Sequence, residues 1–148
     1  MRSRFMTIAL LCLAFTNSAL AAETKPHRVA LQVNQNDPQV MNLALNNANN
    51  VLEYYRSKNE EVEIDIVTYG PGLHMLRADT SPVQDRLKRL KEMAFPSKVQ
   101  FSACNNTKQG MEKTEGKAVS VISDATIVPS GVVRIMELQE QGWSYVRP

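Results

Sequence analysis

Cys104 offers the most chemistry in this sequence. It closes the run 98–103 (KVQFSA) and opens a polar one, Asn105-Asn106-Thr107. A thiol between a strand and a helix start faces free backbone amides and the positive end of the helix dipole. Both favour the thiolate, which is the nucleophilic form. The bland reading of any free cysteine is a small buried hydrophobe. The polar residues after Cys104 do not read as core and tilt the balance towards a used thiol, accessible at the mouth of a crevice.

Three other groups belong with it. Tyr69-Gly70-Pro71-Gly72 follows a β-branched run, so it is either a plain turn or a turn that leaves backbone amides open to an anion. His74 lies just beyond it and is a candidate base or hydrogen-bond partner for Cys104. Ser130-Gly131, after Pro129, stands before another helical pattern. The candidate site is therefore Cys104 and His74 for chemistry, with Tyr69, Gly70, Pro71, Gly72, Asn105, Asn106, Thr107, Ser130 and Gly131 for binding. His27 begins the first strand, at the opposite edge, and is set aside. A soft-metal site of Cys104, His74 and Met75 lacks ligand-pair spacing, and no metal or cofactor is expected. No Gly-rich phosphate fingerprint, nucleophile elbow or paired-carboxylate arrangement is present. Asn105-Asn106-Thr107 also matches a glycosylation sequon, which matters only where an export pathway glycosylates.

These residues need elements to position them. Residues 27–34 and 62–68 read as strands, as do 98–103, 125–128 and, last, 143–146. Asp37-Pro38 opens a helix whose spacing places Val40, Leu43, Ala44, Asn47, Ala48, Val51 and Tyr55 on the inner face. Ser81-Pro82 opens another, with Val83, Leu87, Leu90 and Met93 or Ala94 inside. Its Arg86, Lys88, Arg89 and Lys91 read as a solvated face. Residues 105–115 and the segment from Val132 to Leu138 complete the helices, the last closed by Gly142. Strands alternating with helices imply an α/β single-domain layered fold, with a mainly parallel sheet of about five strands flanked by helices. In such a sheet every strand's C-terminal end lies at one edge, and ligands bind beyond it. Asn34, the Gly70-Pro71-Gly72 turn, Cys104 and Ser130-Gly131 all follow strands, so they gather there despite their separation in sequence.

The start of the chain has a different character. Arg2 and Arg4 precede an apolar run, and the stretch ends Ala19-Leu20-Ala21, the layout of a secretory signal peptide over residues 1–21. Residues 22–148 then form the domain, in a periplasmic or secreted location. Removal of Arg2 and Arg4 takes the formal net charge from +2 to zero. A neutral domain with mixed signs argues against nucleic-acid or membrane binding. Cys12 leaves with the leader, so Cys104 is the single thiol of the mature chain and no internal disulfide forms.

The segments 67–73 (VTYGPGL), 101–107 (FSACNNT) and 128–132 (VPSGV), with the end 138–148 (LQEQGWSYVRP), resemble the DsrE/DsrF-like family of small sulfur-relay proteins. The likeness runs from about Arg28 to the C-terminus. It implies a compact DsrE/flavodoxin-like fold that assembles as a trimer or hexamer. It also implies a cysteine, at the position of Cys104, that carries sulfur as a persulfide between donor and acceptor proteins. Asn105-Asn106-Thr107 stands where other members often carry small and basic residues. The expectation is a thiol-based sulfur carrier or sulfurtransferase-like protein. The alternative is a non-catalytic oligomeric module that binds a small ligand or a partner, with Cys104 structural.

Overall fold

The computed structural model describes residues 27–148. The leader expected over residues 1–21, with Cys12, lies outside the described residues. Five strands form one sheet in the order β4-β3-β2-β1-β5: β1 (His27–Val33), β2 (Val62–Thr68), β3 (Lys98–Cys104), β4 (Ala125–Val128) and β5 (Ser144–Val146). Every pairing is parallel. The register runs His27 to Val33 against Val62 to Thr68, then Thr68 against Ala103 and Cys104 against Val128. The C-terminal ends of β1 to β4 are thereby level, as the alternating sequence pattern implies.

Four helices connect them: α1 (Pro38–Ser57), α2 (Gln84–Met93), α3 (Asn105–Glu115) and α4 (Gly131–Glu140), with a 3-10 helix over Gly70–Leu76. From β1 to β4 the strands advance in one direction across the sheet, so right-handed crossovers put α1, α2 and α3 on one face. The return from β4 to β5 reverses direction, and among the described residues α4 is the one helix on the other.

The two faces differ in chemistry. On the first, Val29, Leu31, Val33, Ile64, Ile66, Val99, Phe101 and Ala103 pack against the helices in one continuous core. On the second, Ala30, Val67, Ile135 and Leu138 make a smaller cluster beside buried Gln32, Asp65 and Ser102. Strand alternation requires this split, since residues two apart share a face.

Local starts and stops have identifiable causes. Asp37 caps α1 by accepting from the Gln39 amide at 2.7 Å, and Pro38 follows at the first position. The inner stripe of α1 is Met41, Ala44, Leu45, Ala48 and Leu52. The stripe expected from sequence is therefore rotated: Leu43 is exposed, while Val40, Val51 and Tyr55 are half-buried at the rim. Two interleaved apolar sets fit the helical period, and packing against the sheet selects the set holding Met41 and Leu45. Helix α2 begins after Val83, later than Ser81-Pro82 implies. The Ser81 hydroxyl instead donates to the Met75 carbonyl at 2.5 Å and accepts from the Val83 amide. Ala94, not Met93, takes the inner position. The basic face of α2 is partly used, because Arg86 reaches Asn42 and Asn46 on α1. Helix α4 ends in a Schellman motif, with Trp143 N bonded to Leu138 O and Gly142, at φ +84°, bonded to Gln139 O.

One buried charge in the core was not signalled by the sequence pattern. The Arg77 side chain is 2% exposed and pairs with both Asp79 and Glu115. Hydrogen bonds from its guanidinium hold both carboxyls below their usual values of 3.8 and 4.5. This fork ties the end of the 3-10 helix to the last turn of α3. Because the folded carboxyls are depressed, their stabilisation is complete above the usual values and is lost as pH falls through and below them. Arg77→Met should melt roughly 5 °C lower at neutral pH and show a flatter loss of stability between neutral and acid pH. Thermal denaturation across that range checks this; parallel curves for the two proteins would refute it.

Candidate functional site

Cys104 is both the last residue of β3 and the N-cap of α3, with φ −67° and ψ 116°. Its Sγ accepts a hydrogen bond from the Thr107 amide at 3.5 Å. N-caps are normally Ser, Thr, Asp or Asn, whose oxygen accepts from the same amide. Sulfur fills that role best as a thiolate, since a charged acceptor strengthens the bond. The cap bond therefore favours the thiolate form.

Thr107 also contributes its side chain. Its Oγ1 accepts from the Gly70 amide at 2.8 Å, which leaves its hydroxyl hydrogen free to donate to the sulfur. The Gly70-Pro71-Gly72 turn is therefore joined to Cys104 through Thr107. From the other side comes the amide of Gly131, the first residue of α4, and the Asn106 amide also contributes while bonding to Pro129 O at 3.3 Å. Burial pushes the Cys104 thiol up. The Thr107 hydroxyl and the amides of Gly131, Thr107 and Asn106 outweigh it, leaving the thiol below its ordinary value of 9.0. Two helix N-termini converge on one sulfur, and both dipoles favour its anion.

Two glycines make the convergence sterically feasible. A Cβ on Gly131 would sit 2.8 Å from the Tyr69 Cβ and 2.9 Å from its ring, so α4 begins directly beneath that tyrosine. A Cβ on Gly72 would lie 2.2 Å from the Val33 carbonyl oxygen, so the turn passes hard against the end of β1. Gly72 is thus a close-approach residue, its amide bonded to Tyr69 O, rather than an open binding amide. Gly70, at φ +52°, supplies the left-handed residue of the turn.

The accessible thiol expected from sequence is corrected: Cys104 is 4% exposed. The cap conformation turns Sγ back onto the first turn of α3, with the start of α4 on the other side. Among the other expected site residues, Asn105 begins α3 half-buried, Asn106 keeps its side chain exposed, and Pro71 is exposed. The Ser130 hydroxyl is occupied in capping α4, accepting from the Val133 amide. His74 is not brought to the sulfur. It is half-buried in the 3-10 helix, and its ring nitrogen lies 3.5 Å from the Thr80 hydroxyl. The activation is therefore built from hydroxyl and amide donors, without an imidazole. Among the described residues no group of three or more His, Cys, Asp or Glu is placed to hold a metal ion.

Sequence reasoning missed Asp65, Ser102 and Arg134, a polar set beneath α4 on the face that carries Cys104. The only signal was an aspartate inside a β-branched strand (VEIDIVT). Burial pushes the Asp65 carboxyl up, and hydrogen bonds from Ser102 and Arg134 oppose that without cancelling it.

The DsrE/DsrF-like family model matches residues 13–148. The chain belongs to the DsrE/DsrF-like family. A solved structure of a protein of unknown function, MTH1491 from Methanobacterium thermoautotrophicum, is similar at 28% identity with a TM-score of 0.67. The match covers 82% of this DsrE-like chain and 99% of the archaeal one. No curated protein matches the chain.

Thr107→Val keeps the shape of the side chain and deletes the donor to sulfur. The thiol of the variant should titrate about one pH unit higher, and alkylation near neutral pH should slow several-fold. Thiolate ultraviolet absorbance against pH measures this directly; an unshifted titration would remove the Thr107 hydroxyl from the site.

Proposed function

We propose that this DsrE-like protein is a thiol-based sulfur carrier, or sulfurtransferase-like protein, acting through Cys104. The observation that carries the reading is the meeting of two helix N-termini and the Thr107 hydroxyl on one thiol. The Cys104 thiolate attacks the sulfane sulfur of a persulfide donor. A sulfur–sulfur bond forms to Cys104 as the donor's own breaks, and the donor leaves as a thiolate. An acceptor thiolate then attacks the outer sulfur, and Cys104 departs as a thiolate. No net oxidation occurs in either step. A thiol of lowered pKa is the better leaving group, so the donors around Cys104 suit passing sulfur on as well as taking it up. The same amides would face the negative charge of the bound persulfide.

The basic, apolar and Ala19-Leu20-Ala21 order of the first 21 residues supports export to a periplasmic or secreted location. Assembly as a homo-oligomer, a trimer or hexamer, is supported by exposed Val132, Val133 and Met136 on α4, which among the described residues is the one helix covering the second sheet face. A sulfur-donating or sulfur-accepting protein is the remaining partner.

A second reading rests on the low exposure of Cys104, which also suits a purely structural N-cap in a binding module. Cys104→Ser separates the two, because serine caps at least as well as cysteine and should preserve the fold. After exposure to polysulfide, the wild-type protein should gain the mass of one sulfur atom, removed by reductant, and Cys104→Ser should gain none. A wild-type mass free of labile sulfur under sustained supply would leave the structural reading in possession.

A further inference from the structure

Asp65 occupies the middle of β2, between Ala30 and Gln100 in the sheet register, and is fully buried. One of its oxygens collects three hydrogen bonds. Oδ2 accepts from Arg134 Nε at 3.0 Å, Arg134 Nη2 at 2.9 Å and Ser102 Oγ at 3.0 Å. The other oxygen, Oδ1, is buried with no hydrogen-bond partner among the described residues. A carboxylate so placed is costly, and apolar residues of similar volume would commonly serve stability as well or better.

What the carboxylate joins is specific. Ser102 lies on β3 two residues before Cys104, on the same face of the strand. Arg134 lies in the first turn of α4, its amide bonded to the Ser130 carbonyl at 2.9 Å, three residues after Gly131. We propose that Asp65 and Arg134 are positioning residues for Cys104: a single carboxylate oxygen ties the thiol's strand to the start of α4 and so holds the Gly131 amide against the sulfur. Asp65 offsets the charge of Arg134, so the pair acts through placement and not through a net field at the thiol. The elements that meet there also carry Tyr69, His74 and Lys108, and none of these is altered in the test.

The inference rests on Cys104 being the working thiol, but its test reads the thiol itself and does not depend on sulfur transfer. The double variant D65L/R134L removes the pair without stranding either charge. It should melt at or above the wild-type temperature, while the thiol titrates about one pH unit higher and alkylation at neutral pH slows roughly fivefold to tenfold. Arg134→Lys, which retains a donor to Oδ2, should recover most of the wild-type rate. Ser102→Ala frees only the strand arm and folds without a buried charge left bare, because Arg134 still covers Oδ2; a smaller upward shift is expected. A wild-type titration curve in either D65L/R134L or Ser102→Ala would overturn the proposal, as would a lowered melting temperature with thiol reactivity unchanged.

Discussion

The first amides of an α-helix need acceptors, and in α3 a sulfur provides one. This demand organises the site. Cys104 has to end a strand and begin a helix at once, so its position is fixed by sheet register and by helix geometry together. The Thr107 hydroxyl then adds a side-chain donor, while its oxygen accepts from the Gly70 amide. A residue that served only as a nucleophile could sit on a mobile loop. One that also caps a helix inherits the helix's rigidity.

The parallel sheet supplies the rest of the convergence. Because β1 to β4 end level, the segments after them meet without any long-range sequence signal. That much was legible in the alternation of apolar runs and turns: the strands, the helix over 105–115 and the shared edge follow from period and breakers alone. The fine placement was not. Val40 and Leu43 fit a helical face as well as Met41 and Leu45 do, and only the sheet's surface decides between them. Ser81-Pro82 has the form of a helix start, yet the Ser81 hydroxyl is drawn to the Met75 carbonyl and the helix waits for Val83.

Which segments come together was more legible than which way their side chains face. Cys104, Thr107, Gly70 and Gly131 meet as their positions after strands imply, while His74, equally close in sequence to the turn, faces Thr80. A 3-10 segment rotates side chains differently from an open turn, and no local signal states which way a single histidine will face. Buried charge was the least readable. Arg77 and Asp65 lie far in sequence from most of what they bind, and nothing in a one-dimensional pattern marks such a partner. Their purposes differ: Arg77 clamps one end of α3 to its neighbour, and Asp65 lies under the face that carries the thiol.

The crossover from β4 to β5 matters to the thiol. Helix α4 must traverse the sheet from one margin to the other, and β5 is a three-residue strand whose one neighbour among the described residues is β1, near the opposite end of the described chain. Contacts of such long sequence separation carry a larger loop-closure cost than the neighbouring strand pairs do. A molecule with its first four strands assembled and α4 undocked would lack the Gly131 amide and hold an unexceptional sulfhydryl. The depressed value of the thiol is thus a property of the closed fold and not of the local sequence around Cys104.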